Sequence, residues 1–131
     1  MPSPKRGTPS DGTRPILVNR RARHDYQILE RIEAGIALRG TEVKSIRARK
    51  ASITEAYAQV IGGEVFLLQM HVAPYEQGNR FNHEPLRRRR LLLHRREIHR
   101  LRQKTEEKGL TLVPLSLYFK GRHLKIEIGL V

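Results

Sequence analysis

Residues 111–131, TLVPLSLYFKGRHLKIEIGLV, narrow the choice of fold more than any other stretch. Leu115, Leu117 and Phe119 alternate on one side of Lys120-Gly121-Arg122. Leu124, Ile126, Ile128 and Leu130 alternate on the other. Side chains two apart share a face of a strand, so this pattern predicts an antiparallel hairpin with one buried face. A second hairpin is predicted in AYAQVIGGEVFLLQMHVAPY, where two β-rich runs flank Gly62-Gly63, a two-residue link suited to tight hairpin turns. Pro74 ends the second run.

The remaining segments fit around these hairpins. DYQILERIEAGIAL, residues 25–38, reads as one long strand or two short ones bent at Gly35, since a glycine inside a strand often marks a bulge or corner. A helix is the rival reading, because Leu29, Ile32 and Ile36 also fit a helical spacing. TEVKSIRARK predicts a short helix capped by Thr41, with Glu42 in its first turn and Val43 and Ile46 inward. Lys44, Arg47 and Lys50 then face out.

Residues 76–90 carry Gly78, Asn79, Asn82 and Pro85 and read as a loop delivering an arginine run, PLRRRRLLLHRRE. A helix follows, with His94 as N-cap, Glu97 at the capping-box position, and Leu93 and Ile98 as a hydrophobic staple. In this reading the leucines anchor the helix entry and the arginines project from that edge. Ile98 and Leu101 mark the buried face, and Gly109 the stop. The count is five or six antiparallel strands and two or three helices, with no recurring βαβ unit. A small closed barrel of the OB type disposes of the sheet edges best.

With 131 residues the chain suits one domain. Residues 1–15 form a polar basic segment with Pro, Gly and Ser, expected to be disordered, and 16–131 a single OB-like domain. The N-terminus has no apolar stretch resembling a secretory signal, and no apolar run approaches the roughly 18 residues needed to span a bilayer. There is no cysteine, which excludes disulfides and thiolate metal sites and fits a reducing interior.

The charge is +13, and its placement matters more than its size. Residues 1–24 carry a net +5 and residues 80–104 a net +8, so the rest of the chain is neutral. Charge concentrated in this way is the electrostatic footprint of a polyanion-binding protein. Phosphate-binding glycine loops, paired catalytic carboxylates and nucleophile motifs are absent, and the six histidines lack ligand spacing, so neither an enzyme nor a metal or cofactor site is expected. A solvated loop or a nuclear address would also explain the arginine run alone. Arginine pairs phosphates with a planar fork and stacks on bases, which favours nucleic acid. The aromatics, Tyr26, Tyr57, Phe66, Tyr75, Phe81, Tyr118 and Phe119, mostly sit in strand patterns and are expected in the core. A folded RNA read by shape and backbone is therefore preferred to a single strand held by stacking.

Several segments resemble the SmpB family of bacterial SsrA-binding proteins. They are Asn19-Arg20-Arg21-Ala22-Arg23-His24-Asp25-Tyr26, Glu33 to Ser45 (EAGIALRGTEVKS), Arg90-Leu91-Leu92-Leu93-His94, Lys108 to Leu115 (KGLTLVPL), and Lys125-Ile126-Glu127-Ile128-Gly129. The resemblance covers roughly residues 16–131. It implies a six-stranded antiparallel OB-type barrel with about three helices. It also implies binding to the tRNA-like domain of tmRNA (SsrA RNA) and delivery of that RNA to stalled ribosomes in trans-translation, where incomplete chains are tagged and ribosomes rescued. Elongation factor Tu is implied as an indirect partner through the aminoacylated RNA, and the bacterial cytoplasm as the location. No membrane, small-molecule substrate or cofactor is implied.

The family's RNA-binding positions match Asn19, His24 and Glu33, with the leucines near Leu93 supporting that surface. Glu33 could accept from a base or ribose, orient an arginine, or close a structural ion pair. Charge adds Arg20, Arg21, Arg23, Lys44, Arg47, Arg87, Arg88, Arg89 and Arg90. The Arg20–His24 cluster is expected on the tmRNA side; Arg87–Arg90 is expected to face either tmRNA or ribosomal RNA. The family continues with a basic tail beyond the position of Val131; if the sequence is a truncated form lacking that tail, it is expected to bind tmRNA without supporting tagging. Without the resemblance, a structural ribosomal protein and a general single-strand RNA module would compete with this reading.

Overall fold

The computed structural model describes residues 14–131; most of the 1–15 segment lies outside the described residues. Pro15, expected within that segment, instead opens the first strand. The elements are β1 (Pro15–Val18), α1 (Arg20–Asp25), β2 (Glu30–Ile36), α2 (Gly40–Arg47), β3 (Ala51–Ser52), β4 (Tyr57–Ile61), β5 (Glu64–Leu68), β6 (His71–Val72), a 3-10 turn (Glu76–Phe81), β7 (Arg89–Leu92), α3 (Arg95–Glu106), β8 (Leu112–Lys120) and β9 (His123–Leu130).

Six strands run in the order β8-β4-β5-β7-β2-β9, and β9 returns to β8. The sheet is thus a closed antiparallel barrel, mainly β, with three helices outside it. β1 pairs with β8 beyond the ring, and β3 and β6 form a separate two-residue ribbon. Both expected hairpins are present. β4 and β5 turn at Gly62-Gly63, whose φ values of 57° and 82° need residues without a Cβ penalty. β8 and β9 turn at Gly121-Arg122, with Lys120 opposite His123. Val65, Leu67, Leu91, Leu124, Ile126, Ile128 and Leu130 fill the interior.

β8 is buried on both faces from Leu112 to Tyr118. A bulge between Pro114 and Ser116 divides it, and a proline without an N–H is tolerated at such a place. Leu112 and Leu117 point into the barrel, whereas Val113 and Leu115 pack with Ala22 of α1 in a second cluster. Helix α1 is therefore laid on the outside of the barrel seam. The sequence signals only a basic cluster there, without a helix. Strand β2 is shorter than the 25–38 run expected, because α1 takes its first residue and a connection takes the next four.

The larger correction is β7. The sequence pattern places residues 89–92 at the end of a loop and the entry to a helix. They form a barrel strand between β5 and β2, with Leu67 opposite Arg89, Phe66 opposite Arg90 and Gly35 opposite Leu92. The pleat then sorts the run: Arg89 and Leu91 are buried, Arg90 and Leu92 exposed. Gly35 permits the approach of Leu92, whose Cβ lies 3.1 Å from where a Gly35 Cβ would stand.

Helix α2 begins two residues earlier than expected. Its N-cap is Arg39, whose N–H donates to Glu42 Oε1 at 2.7 Å. An arginine side chain has no acceptor, so only half of a capping box is made. Thr41, expected as the cap, lies inside the helix and bonds His83 Nδ1 at 2.8 Å. Helix α3 starts as expected: Glu97 accepts from the His94 N–H at 2.9 Å, Ile98 and Leu101 are buried, and Leu93 packs against the core.

Candidate nucleic-acid interface

The residues singled out from sequence fall into three groups. The first is α1. Asn19 caps it, accepting from the Ala22 N–H at 3.1 Å, while its amide donates to the Pro114 carbonyl at 2.9 Å. At 2 % exposure its side chain holds the helix on β8. Arg20, Arg21 and His24 are exposed; His24 is 89 % exposed, with Nδ1 3.0 Å from Asp25 Oδ1. Arg21 reaches Glu55 and lies 3.9 Å from Asp25. Arg23 is half-buried; burial, then the charge of Arg31, lowers its pKa from the usual arginine value.

Beside α1 opens a groove of about 470 Å³, lined by Arg21, Asp25, Tyr26, Glu55, Tyr57 and Thr111 among others. Tyr26 and Tyr57 are 48 % and 39 % exposed, contrary to the expectation that the aromatics are core. Parity could have found Tyr57: Ala58 points inward, so Tyr57 and the polar Gln59 must point out. The groove thus offers π faces to a base beside a guanidinium that Glu55 and Asp25 hold in place.

The second group surrounds Glu33 on the outer face of β2. Its carboxylate accepts from the Tyr118 hydroxyl and lies 3.3 Å from Lys120 Nζ. Of the roles left open for Glu33, the geometry fits the ion pair, with Lys120 as its cation; Arg31 pairs instead with Glu127 at 3.3 Å. Farther along the face, exposed Leu92 separates two concavities. One, of about 240 Å³, includes Arg47, Arg122 and Lys125; the other, of about 470 Å³, includes Arg90, His94 and Arg95. The Arg47 guanidinium stands 4.2 Å from the Phe119 ring centroid. Lys44 is exposed as expected, 5.2 Å from the Tyr75 ring.

The third group is the arginine run, and here the expectation of four projecting arginines fails. Arg89 is wholly buried. Its Nε donates to Glu42 Oε2 at 2.7 Å and its Nη1 to the Met70 carbonyl at 2.7 Å. Arg87, a quarter exposed, donates to Glu42 Oε1 at 2.6 Å. Glu42 is itself fully buried, so two of the four charges are spent on folding. Burial opposes ionisation of Glu42, but Arg87, the Arg39 amide and Arg89 reverse that effect and leave its pKa below the ordinary value. Burial lowers the pKa of Arg89, against the pull of Glu42. Arg88 and Arg90 remain outside. Arg88 lies 4.1 Å from the Phe66 ring centroid, and Arg90 lies 3.7 Å from Glu64.

Among the described residues no helix is long and apolar enough to cross a membrane. Comparison with known proteins accords with this arrangement. The family model described as "SmpB protein" matches residues 16–131. The SsrA-binding protein of Carboxydothermus hydrogenoformans is 64 % identical over 115 residues, covering 88 % of this chain and 77 % of that protein. That of Staphylococcus aureus is 58 % identical over 120 residues, covering 92 % and 77 %. A chain from "tmRNA-SmpB: a journey to the center of the bacterial ribosome" superposes with a TM-score of 0.73 at 55 % identity, covering 89 % of this chain and 82 % of that one. The chain belongs to the SmpB family.

Proposed function

We propose that this protein binds the tRNA-like domain of tmRNA and brings it to stalled ribosomes, so that incomplete chains are tagged and the ribosome is released. The observation that carries the reading is the α1 groove, where exposed Tyr26 and Tyr57 stand beside Arg21 at the foot of a basic helix. A folded RNA offers such a groove an unstacked loop base, while Arg20 and His24 meet the phosphates on either side. Glu33, held by Tyr118 and Lys120, presents a fixed acceptor on the adjoining face. The exposed cations around Leu92 extend the same surface by non-specific attraction.

The role is one of binding and positioning, without a chemical step. Arg88 and Arg90, with Lys44 and Arg47, serve as exposed phosphate contacts; Asn19, Arg87 and Arg89 act through the fold. Elongation factor Tu enters through the aminoacylated RNA rather than through a surface of this chain, and the site of action is the cytoplasm.

The test is a salt-titrated binding assay against the tRNA-like domain, with ordinary tRNA and a homopolymer as competitors. A preference for the tRNA-like domain that survives rising salt is expected. Equal binding to all three, lost together as salt rises, would reduce the interaction to counterion release and overturn the reading.

A further inference from the structure

Between β6 and β7 the chain holds Phe81 out to solvent at 77 % exposure, the most exposed large apolar side chain among the described residues. The fold imposes this exposure. Asn82, next in sequence, clamps the backbone of Tyr75, accepting from its N–H at 3.0 Å and donating to its carbonyl at 2.5 Å. His83, after it, is buried between the Thr41 hydroxyl at 2.8 Å and the Val72 carbonyl at 2.9 Å. Gly78 packs so closely on this clamp that a Cβ there would lie 2.8 Å from the Asn82 amide nitrogen. Two anchored residues immediately behind it fix the backbone that presents the phenyl ring to solvent.

Charge indicates what meets it. The Arg80 guanidinium is 5.1 Å from the Phe81 ring centroid, and Lys44 stands over Tyr75 at the base of the turn. Of the two nearby acids in sequence, Glu76 lies 3.7 Å from Lys50 and Glu84 is exposed. A protein pocket could bury the ring but would leave Arg80 and Lys44 needing counter-charges. A nucleotide supplies both halves at once, a base for the ring and a phosphate for the guanidinium. None of these residues lines the α1 groove.

We propose that Phe81 and Arg80 form a second RNA contact, on which an unpaired nucleotide of ribosomal RNA stacks. This rests on the functional reading above, in which the α1 groove is occupied by the tRNA-like domain and a separate face remains for the ribosome. The test uses the full chain with Phe81→Ala, Phe81→Trp and Arg80→Ala. Two affinities are measured for each: for the isolated tRNA-like domain, and for purified ribosomes stalled at the end of a truncated message, with the thermal midpoint as a folding control.

Phe81→Ala is expected to weaken ribosome binding about tenfold while leaving the tRNA-like domain affinity within about twofold, as the loss of one stacked base implies. Phe81→Trp should restore it, and Arg80→Ala should weaken it with a shallower salt dependence. Unchanged ribosome binding in Phe81→Ala overturns the proposal. So does a parallel loss of affinity for the tRNA-like domain, which would place the turn on tmRNA. Failure of tryptophan to rescue overturns it too, and would point to a shaped protein pocket. The functional reading fails separately, if the unmodified chain does not prefer the tRNA-like domain to ordinary tRNA.

Discussion

Glu42 shows how much one side chain can decide. It sits in the first turn of α2, accepts from the Arg39 N–H, and gathers Arg87 and Arg89 from 45 and 47 residues away. Its removal leaves a buried guanidinium without a counter-charge, a change that costs about 3–5 kcal/mol. Glu42→Ala should lose stability of that order in urea unfolding, whereas Glu42→Gln, which keeps the shape and some hydrogen bonds, should lose less. The same network predicts acid sensitivity. The folded pKa of Glu42 lies below its ordinary value of 4.5. The contribution is therefore full above about that pH and is lost as pH falls through the lower folded value. Acid titration followed by circular dichroism should show this loss, and Glu42→Gln should remove that part of it. Asn19→Ala, which strips the α1 cap and the bond to Pro114, should cost about 1–2 kcal/mol by the same urea measurement.

At the scale of elements, the pleat of a strand and the placement of a short helix determine which side chains reach a ligand. Tyr57 opens β4 facing outward, so Tyr57→Ala should weaken binding to the tRNA-like domain about tenfold and Tyr57→Phe should retain it, as a filter-binding titration would read. Both hairpins and α3 are legible in the sequence because their signals are local: paired glycines, alternation over several residues, and a carboxylate three residues past the cap. Strand β7 is not legible, because an inward arginine reads as a polar outward residue unless its acid is known to be nearby. That acid, Glu42, lies 47 positions away in sequence. Helix α1 escapes for a related reason. Six residues with one buried alanine carry little periodicity, although the Asn19 cap is visible. The basic cluster and Glu33 can be found only as residue positions; the groove beside α1 needs the fold.

For the whole molecule, the 26 lysines and arginines overstate the cations a partner can meet. Arg87 and Arg89 are committed internally, and Arg21, Arg31 and Arg90 each lie near a carboxylate. The slope of log affinity against log salt separates these classes. Reversing Arg88 and Arg90 together should make the slope shallower by roughly one unit for each phosphate no longer neutralised, while the protein stays folded. Arg89→Glu should instead unfold the protein, with no intermediate in which only the slope changes. An unchanged slope in the folded double variant would remove both residues from the interface.

The closure of the barrel has a consequence for how the chain is made. β2 finds its long partner only in β9, with Glu30 opposite Leu130 and Gly35 opposite Lys125. The pairing of β8 with β4 that completes the ring rests on Ala58 opposite Leu112. Contacts so distant in sequence slow folding, since a long loop must close before any of them forms. During synthesis β4 and β5 can pair at once, but β1 and most of β2 must wait for β8 and β9, near the end of the described chain. A message broken before the codons for β9 would yield a product that cannot shut its own barrel. A protein proposed to clear interrupted products is thus itself one whose barrel stays open if its own synthesis is interrupted before β9.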